Sequence, residues 1–402
     1  MSAVPISRSP DLKRLRDEGY EAEVCNGYLL IHHVPYVNAK AQVDYGTLVS
    51  TLNLAGNVTT MPETHVAMWT GDHPCDNKGS PLTKLIADTR SVTIREGLAT
   101  KFSFSHKPEG GYPNYYEKMT GYIRILEGYA HAIDRNAASQ TYPGGEITDE
   151  ESVFRYLDNA SSRAGIVAVN EKLKDDRIAI VGLGGTGAYI LDFVTKTLVS
   201  EIHLFDKDVF LQHNAFRCPG APSYDELTKK PTKVGRLEEI YSKMRRRIIA
   251  HPEHIDETNL GELKSMTFVF LCVDKGPSRQ KIASYLIENK IPFIDVGMGL
   301  YTEDDANKVG GLVRATACMP GVEEQVKKRM PYAIGDEDNE YSRNIQIAEL
   351  NALNAVLAVI KWKKFRGVFV DLQKEHHIVY GIDTNVITND EATSNEAKND
   401  QA

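Results

Sequence analysis

The sequence has few cysteines, and none of them form the closely spaced pairs that bind structural zinc. The five cysteines of the 402 residues are Cys25, Cys75, Cys218, Cys272 and Cys318, and no C-x-x-C pair occurs. A four-cysteine zinc site is therefore excluded, and no structural zinc is expected. Scattered single cysteines are typical of a reducing compartment, so we expect free thiols.

Long apolar runs and an excess of basic charge are also missing. No apolar stretch of about 18 residues and no signal-peptide pattern is found. We therefore expect a soluble, cytoplasmic protein with no membrane partner. The 47 Lys and Arg residues are outnumbered by 55 Asp and Glu residues, which gives a net charge of −8 and argues against binding to nucleic acid. The basic cluster at 243–247 is typical of a solvated helix face.

A glycine-rich motif, RIAIVGLGGTG at 177–187, is the most informative part of the sequence. A short β-branched strand precedes Gly182, Gly184, Gly185 and Gly187, which allow a tight turn into a helix. Such a turn directs backbone N–H groups and the positive end of a helix dipole at an anion, normally a phosphate. The motif alone predicts a nucleotide site and is equally compatible with a dinucleotide dehydrogenase.

The polar residues downstream favour a different chemistry from hydride transfer. After a predicted strand at 202–205 come Asp206, Asp208, Asn214, Arg217, Lys229, Lys230, Lys233 and, after a third strand, Asp274. A dehydrogenase needs one carboxylate here, for a ribose hydroxyl, and Asp206 stands in that place. Additional cations suit the cleavage of a triphosphate, because they neutralise charge that moves to the leaving pyrophosphate, while a carboxylate holds magnesium. The set favours nucleotidyl transfer over redox chemistry.

Taken together, these motifs resemble the ThiF/MoeB family, which includes the ubiquitin-activating enzymes. GLGGTG is followed by D-x-D, and the spacing from Asp208 to Asn214 and Arg217 matches the family pattern D-x₅-N-x-x-R. A lysine before an amphipathic helix and V-D after an apolar strand also match, as does Arg279, five residues beyond Asp274. The resemblance covers roughly 173–365, about half of the chain, and the combined motif is far more specific than its parts.

The resemblance implies a role for each matching residue, with ATP and Mg²⁺ as cofactors. The implied nucleotide-binding residues are Gly182, Gly184, Gly185, Gly187, Asp206, Asp208, Asn214, Arg217, Lys233 and Asp274. Asp208 would take the ribose hydroxyls, Arg217 and Lys233 the phosphates, and Asp274 the magnesium ion. Lys229 or Lys230 could replace Lys233, and Lys275 stands where the family usually has Asn. An arginine supplied from before the glycine loop, often across a dimer interface, corresponds to Arg163, which completes the implied catalytic set of Arg217, Lys233, Asp274 and Arg163.

The implied activity is ATP-dependent adenylation of the C-terminal carboxylate of a ubiquitin-like protein, with release of pyrophosphate. A homodimer and a conjugating-enzyme partner are expected with it. The extra N-terminal domain and the absent zinc cysteines resemble activating enzymes of bacterial ubiquitin-like conjugation pathways. Three alternatives stay open: adenylation of a sulfur-carrier protein or small carboxylate, a nucleotide-binding protein without turnover, and a dinucleotide-dependent oxidoreductase. Whether Cys318 or Cys218 carries a thioester also stays open, although we favour transfer to a partner.

The predicted fold class is α/β, with a Rossmann-like, mostly parallel adenylation domain and a separate α+β N-terminal domain. We expect the N-terminal domain at 1–145, for docking a partner or substrate, and a helical linker at 146–172 with a helix from about Asp149. The adenylation domain follows at 173–387 and a disordered acidic tail at 388–402. Asn26-Gly27 predicts a type I′ hairpin turn, and an amphipathic helix is expected at 118–135. Later strands are predicted at 267–273, 292–296 and 311–317, a helix at 344–363, and a last strand pair at 368–371 and 377–382.

Overall fold

The computed structural model describes residues 4–144, 152–156, 158, 160–161, 164, 166–274, 276–303, 307–330 and 345–390. Contacts divide the chain into two compact units, Met1–Ile166 and Val167–Ala402. Arg163 and Lys275, both singled out from the sequence, lie outside the described residues.

The first unit is built on an antiparallel sheet of six strands in the order β1-β2-β3-β6-β10-β7. The strands are β1 (Glu21–Cys25), β2 (Tyr28–Val37), β3 (Val43–Thr51), β4 (Leu54–Ala55), β5 (Val58–Thr59), β6 (Ala67–Trp69), β7 (Ile86–Asp88), β8 (Thr93–Arg95), β9 (Leu98–Ala99) and β10 (Phe102–Phe104). The helices are α1 (Val4–Arg8), α2 (Pro10–Asp17) and α3 (Tyr115–His131). Strands β4 with β5 and β8 with β9 form two small hairpins beside the main sheet.

Local sequence signals in this unit correspond closely to its structure. Asn26 and Gly27 have φ values of 49° and 79°, as a type I′ turn between β1 and β2 requires. Helix α3 begins where the Asn114 side chain accepts the Glu117 N–H at 2.9 Å. Its apolar stripe, which includes Met119 and Ile123, is buried in the core of the unit. The predicted hairpin and amphipathic helix are confirmed.

The second unit contains a sheet of eight strands in the order β13-β12-β11-β14-β15-β16-β17-β18. Its strands are β11 (Arg177–Val181), β12 (Glu201–Phe205), β13 (Ile248–His251), β14 (Phe268–Leu271), β15 (Phe293–Glu303), β16 (Lys308–Cys318), β17 (His377–Gly381) and β18 (Val386–Asp390). Its helices are α4 (Val167–Asn170), α5 (Gly185–Val194), α6 (Gln212–Ala215), α7 (Tyr224–Thr228), α8 (Lys233–Tyr241), α9 (Gly276–Glu288), α10 (Glu323–Arg329) and α11 (Ala348–Phe365), with 3₁₀ turns at Glu171–Leu173 and Leu260–Ser265.

The five strands from β13 to β15 run parallel, and the three that follow run antiparallel. Apolar side chains of β11, β12 and β14 and of helices α5 and α11 share one buried core. The α/β class and the mostly parallel Rossmann-like sheet are therefore confirmed. The carboxyl ends of the parallel strands meet at one edge, where ligands bind in open α/β sheets.

A last strand pair was predicted at 368–371 and 377–382, and the first of these two strands is wrong. β17 forms as expected, but its new partner is β18, and residues 368–371 are not a strand. Asp371 is instead tied to helix α11, because Lys361 Nζ donates to its Oδ2 at 3.0 Å and Lys364 also approaches it. Strand β18 ends at Asp390, three residues into the predicted disordered tail, and residues 391–402 lie outside the described part.

The helix predicted from about Asp149 differs from the structure where the chain is described. Residues 152–156 are not helical, and in the described part of this segment the helical residues are 160–161, Val167–Asn170 and the adjoining 3₁₀ turn. The Phe154 N–H donates to Ser152 Oγ at 3.3 Å, and such local side-chain bonds compete with a helix. None of the helices in the described part of the chain combines the length and apolar character that a membrane span requires.

Candidate nucleotide site

A cavity of about 620 Å³ opens at the carboxyl ends of the parallel strands in the second unit. Its walls come from the glycine loop after β11, the ends of β12 and β14, the middle of β15 and the first turns of α11. The cavity brings together all four loop glycines with Asp206, Asp208, Arg217, Lys233 and Asp274. Of the described residues predicted to bind the nucleotide, Asn214 is the one outside this lining.

Two glycines of the loop are required by close backbone packing. Gly182 has φ +93°, and a Cβ there would lie 2.5 Å from the Cys272 carbonyl oxygen. A Cβ on Gly187 would overlap the carbonyl oxygen of Gly182 itself. Gly184 is different, because a Cβ at this position would meet nothing within 4 Å. Since Gly184 lines the cavity, its missing side chain leaves space that a ligand can occupy.

Helix α5 presents its N-terminus to this cavity. The Ala188 N–H donates to Gly184 O at 3.1 Å, and Gly184 is the N-cap. The N–H groups of Gly185, Thr186 and Gly187 precede that bond and have no carbonyl partner within the helix. No acidic residue occupies the first turn to neutralise the dipole. The arrangement suits an anionic group such as a phosphate.

Asp206 holds the glycine loop against the end of β12. Its Oδ2 accepts the Leu183 N–H at 2.7 Å, and its Oδ1 accepts the Asp208 N–H at 2.8 Å. The side chain is 5% exposed. Because both carboxylate oxygens are bound to backbone, Asp206 fixes the loop and also sets the position of Asp208.

Lys233 places its ammonium group between two carboxylates at the cavity wall. Its Nζ lies 2.7 Å from Asp208 Oδ2 and 3.4 Å from Asp206 Oδ2. The hydrogen bond from Lys233 lowers the pKa of Asp208 below its usual value. Thr232 caps helix α8 by accepting the Gly235 N–H at 3.1 Å, which fixes the start of that helix. Lys229 and Lys230, the alternatives in the sequence, are exposed and outside the cavity lining.

Arg217 lines the cavity beyond the short helix α6. Its buried Nε has no hydrogen-bond partner among the residues that the structure describes. Asn214 caps α6, because its Oδ1 accepts the Leu211 N–H at 2.8 Å, and its backbone carbonyl accepts the Arg217 N–H at 3.1 Å. Asn214 therefore shapes the turn that carries Arg217.

Asp274 stands just after β14, exposed at the cavity. Gln346 Nε2 lies 3.5 Å from its Oδ2. Arg279 braces the same turn, since its Nε and Nη2 donate to the Val273 carbonyl at 2.9 and 2.7 Å. Arg279 also lies 3.3 Å from Asp295, a fully buried carboxylate that Arg314 approaches at 2.7 Å from the other side. Burial raises the pKa of Asp295 against the pull of these two guanidinium groups.

Sequence reasoning missed two asparagines on helix α11. Asn351 and Asn354 are each 1% exposed and line the cavity. Thr186 Oγ1 donates to Asn351 Oδ1 at 2.8 Å, and Asn354 Nδ2 donates to Gly297 O at 3.0 Å. In the described part of the chain, Asn351 Nδ2 and Asn354 Oδ1 have no hydrogen-bond partner. Two asparagines three residues apart, in a helix whose other polar residues are Glu349 and the lysines near its end, were the available signal.

The three cysteines of this unit differ in their surroundings. Cys272 lines the cavity, but burial raises the pKa of its thiol strongly. Burial also raises the pKa of Cys218 to about 11, and its Sγ lies 3.7 Å from Gly184 O. Cys318 is 4% exposed and belongs to an apolar core cluster. Burial therefore disfavours the thiolate at Cys218 and Cys272, and core packing encloses Cys318.

The fold and the cavity at the carboxyl ends of its parallel strands define a domain of the Rossmann-like class. Residues 158–318 match the model of the ThiF family. The resemblance read from the motifs is thereby confirmed. Residues 10–159 match a domain of unknown function, DUF6791.

Curated relatives of the chain share the name ubiquitin-like modifier-activating enzyme 5. The protein from Drosophila virilis is 26% identical over 166 residues, which is 38% of this chain and 40% of the relative. The protein from Oryza sativa subsp. japonica is 27% identical over 234 residues, covering 51% and 54% of the two chains. The chain thus spans between two fifths and just over half of the length of these relatives.

Similar folds are found among solved structures. Escherichia coli MccB with ATP is 20% identical, with a TM-score of 0.41, and the match covers 56% of this chain and 66% of that one. PaaA is 14% identical, with a TM-score of 0.46, and the match covers 73% and 92% of the two chains.

Proposed function

We propose that the chain catalyses ATP-dependent adenylation of the C-terminal carboxylate of a ubiquitin-like protein, with release of pyrophosphate. The observation that carries this proposal is the grouping of the open N-terminus of α5, Lys233 and Arg217 around one cavity. A triphosphate needs that concentration of donors and positive charge, and a hydride donor does not. The name of the curated relatives supports the choice of a ubiquitin-like substrate.

In the proposed reaction a carboxylate oxygen attacks the α-phosphorus of ATP. A bond forms between that oxygen and phosphorus, and the bond from phosphorus to the bridging oxygen breaks, so its electron pair leaves on pyrophosphate. The glycine-loop N–H groups, Arg217 and Lys233 stabilise the charge that develops on the phosphate oxygens. Holding the two reactants in line removes much of the entropic part of the barrier.

Asp208 and Asp274 have separate tasks in this proposal. Asp208, half-exposed beside Lys233, accepts the ribose hydroxyls. Asp274 is an exposed carboxylate in the cavity lining, and hard oxygen ligands of this kind fit Mg²⁺. Mg²⁺ bound there would neutralise phosphate charge. We further propose a homodimer, with Arg163 acting across its interface, and transfer of the activated acyl group to a conjugating-enzyme partner.

Exchange of labelled pyrophosphate into ATP tests the proposal, with small β-grasp proteins supplied one at a time as acyl donors. We expect exchange that depends on the donor's free C-terminus and on Mg²⁺. Asp274→Asn should reduce it by about 10²-fold or more, whereas Asp225→Asn, a matched change on the exposed helix α7, should leave it unaltered. Intact ATP binding without exchange for any donor would contradict the proposal.

A further inference from the structure

A second group of potential ligands lies at the edge of the parallel sheet, apart from Asp274. His251 ends strand β13, Glu253 follows in the next loop, and Glu262 lies in the 3₁₀ turn Leu260–Ser265. One ligand atom from each lies within 4.8 Å of the others. His251 Nδ1 is 3.4 Å from Glu262 Oε2 and 3.9 Å from Glu253 Oε1.

The contact between His251 and His203 determines which nitrogen of His251 donates to His203 and which faces the two carboxylates. His203 Nε2 faces Glu201 Oε2 at 3.5 Å, and a carboxylate accepts only, so this nitrogen carries a proton. With the proton on Nε2, the Nδ1 of His203 is the acceptor in the pair that it forms with His251. His251 Nε2 lies 3.0 Å from that Nδ1 and must donate to it.

This arrangement places the proton of the His203–His251 bond on His251 Nε2 and turns His251 Nδ1 toward two carboxylates. The two carboxylates repel each other where they face the ring, and a cation among the three groups, either a proton on Nδ1 or a metal ion, relieves that repulsion. A ring proton on Nδ1 supplies one positive charge, but two carboxylates are then still only half neutralised. A divalent ion balances both carboxylates and accepts the imidazole lone pair as well.

We propose that His251, Glu253 and Glu262 form a binding site for a divalent transition-metal ion, with Zn²⁺ the best match. One imidazole nitrogen and two carboxylate oxygens are common zinc ligands, and water completes four-coordination. Bonds of about 2.0–2.2 Å in a tetrahedron place ligand atoms about 3.4 Å apart, so small side-chain rotations close the site. The bond from His251 Nε2–H to His203 is the outer hydrogen bond that metal-bound histidines make.

The ion would close the loop between β13 and the 3₁₀ turn. That loop carries His254 and Ile255, which line the nucleotide cavity. The metal therefore has a structural task, fixing a wall of the cavity, and takes no part in phosphoryl chemistry. The proposal is independent of the reaction assigned to the cavity.

Zinc titration of the full-length, metal-stripped protein tests this site, with excess Mg²⁺ present to occupy sites that prefer hard ions. We expect one equivalent of Zn²⁺ to bind and to raise Tm, and Co²⁺ to give the visible absorption of a four-coordinate ion. The double variant Glu253→Gln, Glu262→Gln should bind zinc at least about 10-fold more weakly, as lost ligands do. These glutamates are exposed, so the variant should fold.

Glu257→Gln is the matched control, because Glu257 lies in the same loop but pairs with Lys281. It should bind zinc as the wild type does. Protection of amide hydrogens in 252–259 on adding zinc, seen in the wild type and absent from the double variant, would support the structural task. Equal zinc binding by wild type and double variant, or no binding by the wild type, would overturn the proposal and leave a proton as the cation.

Discussion

Lys233 Nζ lies 2.7 Å from Asp208 Oδ2, in a position where the lysine side chain is 9% exposed and the aspartate side chain 53%. The buried end of this pair is the cation, and the exposed end is the carboxylate proposed to take the ribose. Asp206 contacts both members of the pair, because its carboxylate also approaches Lys233 and accepts the backbone N–H of Asp208. One ion pair thus connects the proposed ribose position with the proposed phosphate position.

Removing the Lys233 ammonium group should therefore affect turnover more than nucleotide affinity. Lys233→Ala is expected to lower pyrophosphate exchange by about 10²–10³-fold, because charge on the phosphates increases in the transition state. The Kd for ATP should change by less, since it reflects ground-state contacts. Lys230→Ala, an exposed neighbour, serves as the control. An exchange rate that falls no more than ATP affinity would contradict the assignment.

Gly184→Val should block the nucleotide while leaving the domain folded. A Cβ at Gly184 would meet nothing within 4 Å among the described residues, and the residue lines the cavity to which we assign the phosphates. We expect ATP binding, measured by calorimetry, to disappear with Tm little changed. Gly261→Val is the matched control, since its Cβ is also unobstructed but lies outside the cavity. Normal ATP affinity in Gly184→Val would place the phosphates elsewhere.

Lys118 in the first unit gives a prediction about stability and pH. Its side chain is fully buried, donates to Ser50 Oγ at 2.8 Å, and has its pKa lowered from 10.5 to about 8 by burial. Below pH 8 the folded state must bury the charge, so the penalty is complete there. It declines as pH rises from 8 to 10.5, where the unfolded chain also loses its proton.

Lys118→Met should therefore raise the free energy of unfolding at pH 7, by about 1–3 kcal/mol after loss of the bond to Ser50. The difference between variant and wild type should shrink as the pH approaches 10.5. Denaturant unfolding at several pH values measures this difference directly. A variant less stable than the wild type at pH 7 would show that the lysine is accommodated better than its burial indicates.

Cys318→Ala should leave both proposed steps intact, the adenylation of the donor and the transfer of its acyl group to a partner. The thiol is enclosed in an apolar core cluster, so it is badly placed to receive an acyl group. We expect pyrophosphate exchange and complete conjugation within about twofold of wild type, with a modest loss of stability from the small cavity. Exchange retained with conjugation abolished, together with a reductant-sensitive adduct on the wild type, would make Cys318 the carrier.

Local motifs predicted the part of the candidate site whose residues lie close together in the sequence. The glycine loop and Asp208 closely follow strand ends, and Arg217 follows the short helix α6 after the second of these strands, so strand and turn signals were enough to place them at one sheet edge. Asp206 was expected to bind the nucleotide. In the structure both of its carboxylate oxygens accept backbone N–H groups of the chain itself. Sequence alone does not show which carboxylate of a D-x-D pair turns inward.

The other wall could not be predicted because it depends on distant parts of the chain. Thr186 and Asn351 are 165 positions apart, yet they share a hydrogen bond at the cavity. A polar residue inside an apolar helix indicates burial against something polar without identifying it. Residues 368–371 resembled a strand by composition, but the ion pairs of Asp371 with helix α11 decide their conformation. Tertiary context overrides propensity at such positions.

Transfer of an oxygen isotope tests the central claim most directly. The ubiquitin-like donor is prepared with ¹⁸O in its C-terminal carboxylate and incubated with the protein, ATP and Mg²⁺, and the activated acyl group is trapped with hydroxylamine. Attack by a carboxylate oxygen on the α-phosphorus, followed by cleavage at the acyl carbon, predicts one ¹⁸O in the released AMP. AMP without ¹⁸O, or donor-dependent formation of ADP in place of AMP and pyrophosphate, would contradict adenylation as the function of this cavity.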